Sequence, residues 1–152
     1  MSRRRAIDDA IIADYRTVAR ALDKVVLPLL IENGVTMAQF KALMALSAAG
    51  DAGISVTTLA GELSIGQPSA SLIVDQLVKR GYAARRQDEV DRRRVFVRVT
   101  PPGQELVDEL RHGRRATFEA WLGGLGDEDA GDIARGMRAL AAAVETGDAS
   151  GA

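Results

Sequence analysis

The stretch VDRRRVFVRVT, residues 90–100, sets an acid and three consecutive arginines ahead of an alternation of apolar residues and arginine. Arginine keeps its charge at every physiological pH and offers a planar fork of donors that fits phosphate. The charge is also gathered locally. From Lys79 to Arg98 there are eight basic and three acidic residues, a net of +5 in a chain whose formal charge is −1, so the remaining residues sum to −6. A basic patch on an otherwise acidic protein is the footprint of a polyanion held at one face. A solvated run of charge is the plain alternative, and charge alone does not choose between them.

Other chemistries find little support. The chain has no cysteine, which leaves no disulfide scaffold, thiolate metal site or cysteine redox switch. His112 is the single histidine and is expected on a solvated helix face, so neither a metal site nor a cofactor is expected. The glycines at 50, 53, 61 and 66 have the wrong spacing for the common phosphate-binding loops, and one histidine supports no Ser-His-Asp arrangement. The reading is therefore not an enzyme. No apolar run reaches the length of a membrane span, and MSRRRAIDDAII does not read as a signal peptide because Asp8 and Asp9 interrupt it. A cytoplasmic protein without a membrane partner is expected.

The elements that must carry the arginines follow from periodicity and caps. At 152 residues, 47% hydrophobic and 27% charged, the chain reads as one globular domain with a mostly aliphatic core, or as one domain with extra elements that pack against a partner chain. Residues 6 to 31 place Ile7, Ile11, Tyr15, Val18, Leu22 and Leu29 at helical spacing, with a kink or early end expected at Pro28 and a stop at Asn33-Gly34. Thr36-Met-Ala-Gln39 is a capping box opening a second helix that ends by Gly50. The loop DAG leads to Ser55, a cap for the short helix VTTLAGELS, and a tight SIG turn precedes QPSASLIVDQLVKR. In that helix Pro68 suits the first turn and Gly81 the stop, while Ala70, Val74 and Leu77 make the buried stripe.

Val95, Val97 and Val99 alternate with Phe96 and Arg98, the pattern of a half-buried strand, so YAARRQ and RRVFVRVT form a hairpin across the turn DEVDR. Pro101-Pro102-Gly103 ends the hairpin. A long helix then passes Leu106, Leu110, Phe118 and Trp121 to Gly123-Gly124, and Asp127 caps a last helix with an apolar face through Ile133, Met137, Leu140 and Val144. The expected fold class is mostly α with a small antiparallel β-hairpin: a winged helix-turn-helix between N- and C-terminal dimerisation helices. Its expected divisions are residues 1–34, 35–100, 101–146 and a disordered tail at 147–152.

Two helices around a tight turn form a helix-turn-helix, whose second helix fits the DNA major groove, and an arginine-tipped hairpin beside it fits the minor groove. At this point the chain resembles the MarR family of winged-helix regulators. The resemblance is carried by LSIGQPSASLIVDQLVKRGY and by the wing signature Asp91-Arg92-Arg93 followed by Val97-Arg98-Val99-Thr100 and Gly103, with TMAQFKALMAL similar to the family's second helix.

The resemblance implies a homodimer on a pseudo-palindromic operator in double-stranded DNA. It makes Arg93 the wing arginine and Asp91 the acid that orients it, with Arg92 and Arg94 touching either the groove or phosphate. Gln67, Ser69, Ser71, Leu72 and Gln76 fall on the recognition helix, and Ser55 joins the DNA-binding set. On a helical wheel Ser69, Leu72 and Gln76 lie away from the buried stripe, where either glutamine could read an adenine edge and Leu72 a thymine methyl. Positions 72 and 76 are often basic in the family, so here more of the affinity is expected to rest on the wing.

Dimer contacts are expected from Ile7 and Ile11 at one end and Ile133, Met137 and Leu140 at the other. The resemblance also implies a small effector of anionic aromatic type. Met37, Phe40, Met44, Phe118 and Trp121 either line its pocket or are ordinary core. A repressor released by ligand is the leading expectation. The alternatives are a ligand-independent activator and a winged protein-interaction module.

Overall fold

The computed structural model describes residues 3–149 and divides the chain into two compact units, one up to Arg114 and the other from Arg115 onward. Six helices and three short strands follow one another: α1 (Arg3–Glu32), α2 (Met37–Ala49), β1 (Ile54–Ser55), α3 (Val56–Leu63), α4 (Gln67–Lys79), β2 (Ala83–Gln87), β3 (Val95–Val99), α5 (Pro101–Gly123) and α6 (Asp127–Ala149). The strands form one antiparallel sheet in the order β1-β3-β2, with Ile54 opposite Val97 and Ala83 opposite Val99. The mostly helical winged fold expected from the sequence is the one observed.

Several local features differ from expectation. Helix α1 runs through Pro28 to Glu32. Proline removes one backbone donor, but Val26 and Leu30 on either side are buried, and their packing holds the helix past the gap. The wing is more than a hairpin, because β1 adds a third strand to it. Two residues cannot display a period of two, so no sequence pattern announces that strand. Pro101-Pro102-Gly103 begins α5 rather than merely closing the wing: the Gly103 N–H donates to Thr100 Oγ1 at 3.4 Å and the Gln104 N–H to Thr100 O at 2.8 Å. Helix α6 reaches Ala149, three residues into the expected tail, and residues 150–152 lie outside the described residues. Asp127 stands inside the first turn of α6 beside Glu128 and Asp129, where acidic charge suits the helix dipole.

The core lies wholly in the first unit. Leu43, Leu46, Leu59, Val74, Leu77, Val97, Val107 and Leu110 have no exposed surface, so α2, α3, α4, the sheet and the start of α5 share one apolar interior. The stripe Ala70, Val74, Leu77 repeats every three to four residues, which commits one face of α4 to that interior and turns the opposite face outward.

Candidate nucleic-acid interface

Helix α4 is placed by both of its ends. Before it, the N–H of Ser64 (φ 54, ψ 43) caps α3 by donating to Ala60 O and Gly61 O, and the Ile65 N–H donates to Ala60 O at 3.0 Å. Gly66 then opens α4, with Pro68 in the first turn where a missing N–H costs no helical bond. At the far end the Arg80 guanidinium donates to the carbonyls of Gly34 and, at 2.6 Å, Asn33, and it lies 5.7 Å from the centre of the Tyr82 ring. Gly34 has φ +60, and a Cβ there would press on the guanidinium, so glycine serves both the turn and the Arg80 contact.

The outward face of α4 carries Gln67, Ser69, Leu72 and Gln76, all exposed, and Ser71 is half-buried. Leu72 is 58% exposed, although leucine is ordinarily a core residue. Gln76 differs from its neighbours: its Oε1 accepts a bond of 2.8 Å from Nε2 of Gln39, a residue only 6% exposed. Gln39 was legible as the third residue of the α2 capping box, and that box is present, with Thr36 N donating to Gln39 Oε1 and Gln39 N to Thr36 Oγ1, both at 3.1 Å. Its reach to α4 was not legible. Ser55 is half-buried and caps α3, its Oγ accepting from Thr58 N at 3.1 Å.

The wing turn between β2 and β3 is tied by its own acids. Asp88 Oδ1 accepts from Val90 N at 2.8 Å and Asp91 Oδ1 from Arg93 N at 3.1 Å, while the Arg94 N–H donates to Asp91 O at 2.9 Å. Asp91 thus orders the backbone at Arg93, the kind of local carboxylate-to-backbone bond that favours turns. Arg92, Arg93 and Arg94 are exposed, as is Val90 at the tip.

Not all the positive charge of the patch faces outward unpaired. Arg80 caps the end of α1, and Arg85 pairs with Asp75 of α4, so two of the eight basic residues hold the wing and α4 in place. Lys79, Arg86, Arg98 and the arginine triplet are exposed, and their side chains have no partner among the described residues. Gly103, buried at the foot of the wing, has no room for a Cβ against Tyr82 O, and Thr100 donates to Gly81 O on the same seam. The Thr-Pro-Pro-Gly sequence is therefore the joint between wing and α5.

A cavity of about 510 Å³ lies in the first unit, lined in part by Tyr15, Met37, Phe40, Met44, Asp23, Lys41, Glu62 and Arg114. Met37, Phe40 and Met44 belong to the expected pocket set. Phe118 and Trp121 belong to the second unit, where their rings meet edge to face, 6.3 Å apart. A second cavity of about 390 Å³ touches Ser69, Lys41 and Met37. Of the expected dimer residues, Ile7 and Ile11 on α1 and Ile133, Met137 and Leu140 on α6 are all exposed. His112 is exposed on α5. No helix among the described residues is long and apolar enough to cross a membrane.

A helix-turn-helix with an open face on its second helix, flanked by an arginine-tipped antiparallel wing, defines a winged-helix DNA-binding protein. Residues 35–95 match the family described as MarR family. The chain is similar to the HTH-type transcriptional repressor MdtR of Bacillus subtilis, 28% identical over 142 residues, covering 91% of this chain and 90% of that protein. Among solved structures, RV1404 from Mycobacterium tuberculosis aligns with a TM-score of 0.81 at 21% identity, over 95% of this chain and 96% of the other. MepR of S. aureus, crystallised as a complex with DNA, aligns with a TM-score of 0.70 at 18% identity, over 86% and 96% of the two chains. At these identities the structural likenesses speak for the fold.

Proposed function

We propose that this chain is a MarR-family regulator, a homodimeric repressor that binds a pseudo-palindromic operator through α4 and the wing of each protomer. The observation that carries the reading is the pairing, in one unit, of an open uncharged α4 face with three exposed, unpartnered arginines at a backbone-ordered wing tip. The arginines supply phosphate and minor-groove attraction, and the side chains of α4 supply discrimination between bases. The repressor among its relatives supports the sign of regulation.

The dimer is supported by two apolar surfaces with nothing against them. Helix α6 has no buried residue among those whose burial is described, yet Ile133, Met137, Leu140 and Val144 recur on it at helical spacing. Helix α1 likewise exposes Ile7, Ile11, Ile12 and Tyr15. Apolar patches of this extent mark association sites. A second copy of the chain is the occupant that also provides two recognition helices for two half-sites.

The cavity of the first unit supports a small effector. Lys41 and Arg114 offer cations to an anionic group, and Met37, Phe40 and Met44 an apolar wall to an aromatic one.

Fluorescence anisotropy of the full chain against the intergenic DNA upstream of its own gene and a scrambled duplex, at two salt concentrations, tests the reading. Tighter binding to the upstream duplex, weakening steeply with salt, is expected. Equal and salt-insensitive binding, or none, overturns it and favours the protein-interaction alternative.

A further inference from the structure

The orientation of the Gln76 amide is decided by a residue 37 positions away. An amide side chain presents a carbonyl acceptor at one corner and an NH2 donor at the other, and which corner points where must be argued from its partners. Here the argument closes. The Thr36 backbone N–H can only donate, so the Gln39 corner that meets it is Oε1. The remaining Gln39 corner is then Nε2, which can only donate, so the Gln76 corner 2.8 Å from it is Oε1. Gln39 is 6% exposed, hence the Gln76 oxygen is held on the protein side. The Gln76 Nε2, on an exposed residue of the outward face of α4, has no acceptor among the described residues.

We propose that Gln39 is a positioning residue which locks Gln76 with its NH2 edge toward the operator, so that Gln76 selects guanine through O6 or N7. This rests on the DNA-binding reading above and sharpens it. Bidentate reading of adenine needs the glutamine oxygen facing outward to accept from N6. The relay from the capping box turns that oxygen inward. The outward edge is donor-only and matches the guanine edge, which offers two acceptors to the major groove. Specificity at this position is thus written in the α2 cap as well as in the recognition helix.

The test is selection of bound duplexes from a random library by the full-length chain, repeated with Gln76→Ala, Gln76→Glu and Gln39→Glu. Gln76→Ala identifies the base pair that residue 76 contacts, and the wild-type chain is expected to prefer guanine there. Gln76→Glu keeps an acceptor for Gln39 Nε2 and presents another outward, so the preference moves to cytosine, whose N4 donates.

Gln39→Glu retains a Thr-x-x-Glu capping box, and a melting curve recorded beside the selection shows that the fold is kept. Its carboxylate can only accept, which forces the Gln76 amide to turn over and present its oxygen. The preference then leaves guanine for a base with a donor edge, by about tenfold or more on the scale of a good base contact. A purely structural role for Gln39 would lower affinity evenly and leave the selected base unchanged.

An unchanged preference with Gln39→Glu overturns the inference. So does a wild-type choice other than guanine at the position Gln76→Ala identifies, or the absence of any position that responds to that variant, the result expected of a phosphate contact. If the wild-type chain enriches no sequence at all, the DNA-binding reading fails first and takes this inference with it.

Discussion

The first unit and helix α6 use the same kind of residue in opposite ways. In the first unit a set of leucines is withdrawn into one interior: Leu43, Leu46, Leu59, Leu77 and Leu110 have no exposure at all. On α6, residues of the same type at the same helical spacing stay open, with Met137 at 55% and Val144 at 56%. Burial of such side chains is what offsets the entropy of ordering a chain, so the first unit has its own source of stability and α6 lacks one among the described residues. The periodicity of α6 is therefore a pattern in want of a partner. An apolar face that is regular but unburied in one chain is what supports the proposed association of chains.

Substitutions can break that contrast, beginning with the greatest expected effect. Leu77→Ala removes a fully buried side chain shared by α4 and the core, and is expected to cost about 2–5 kcal/mol of folding stability in urea unfolding. A loss of only a few tenths would mean the core relaxes freely around α4. Met137→Asp sets a charge in the proposed dimer face and leaves the first unit's core untouched. Sedimentation should show a monomer, and operator affinity should fall by about a hundredfold or more because a monomer engages one half-site at a time. If the variant remains a dimer, α6 is not the interface.

Smaller effects sharpen the comparison within the first unit. Arg93→Ala should leave the dimer and its melting temperature unchanged. It should reduce the slope of log affinity against log salt by about 0.9 for each phosphate that Arg93 neutralises. Unchanged affinity would take the wing out of the interface. Thr36→Ala removes the hydroxyl that caps α2 and is expected to cost about 1 kcal/mol in thermal unfolding. Smallest of all, Asp75→Asn breaks an ion pair with Arg85 in which both side chains are well exposed, and a change below about 1 kcal/mol is expected. A larger value would make that pair a fastening of wing to α4 rather than a surface contact.

Much of this was legible in the chain because it is encoded at short range. A capping box is set within a span of three residues, and Thr36 to Gln39 forms as read. The stripe Ala70, Val74, Leu77 states which face of α4 is buried, and by subtraction that Leu72 is not. Asp91, expected to orient Arg93, accepts from the Arg93 backbone N–H, a bond that spans only two residues. Helical spacing cannot tell that Phe40 lines a cavity of the first unit while Phe118 pairs with the Trp121 ring.

What the sequence by itself determined is the order of the elements, their caps, the buried and open faces of each helix, and the concentration of charge beside the helix-turn-helix. These depend on spacings of two to four residues, which the chain cannot alter without changing its local structure. The tertiary structure alone decided that Ile54 and Ser55 join the wing, that Arg80 reaches back across 46 residues to Gly34, and that Gln39 takes hold of Gln76 across 37. Contacts between residues so far apart leave no period in the chain. They exist only once the core has brought α2, α4 and the sheet together.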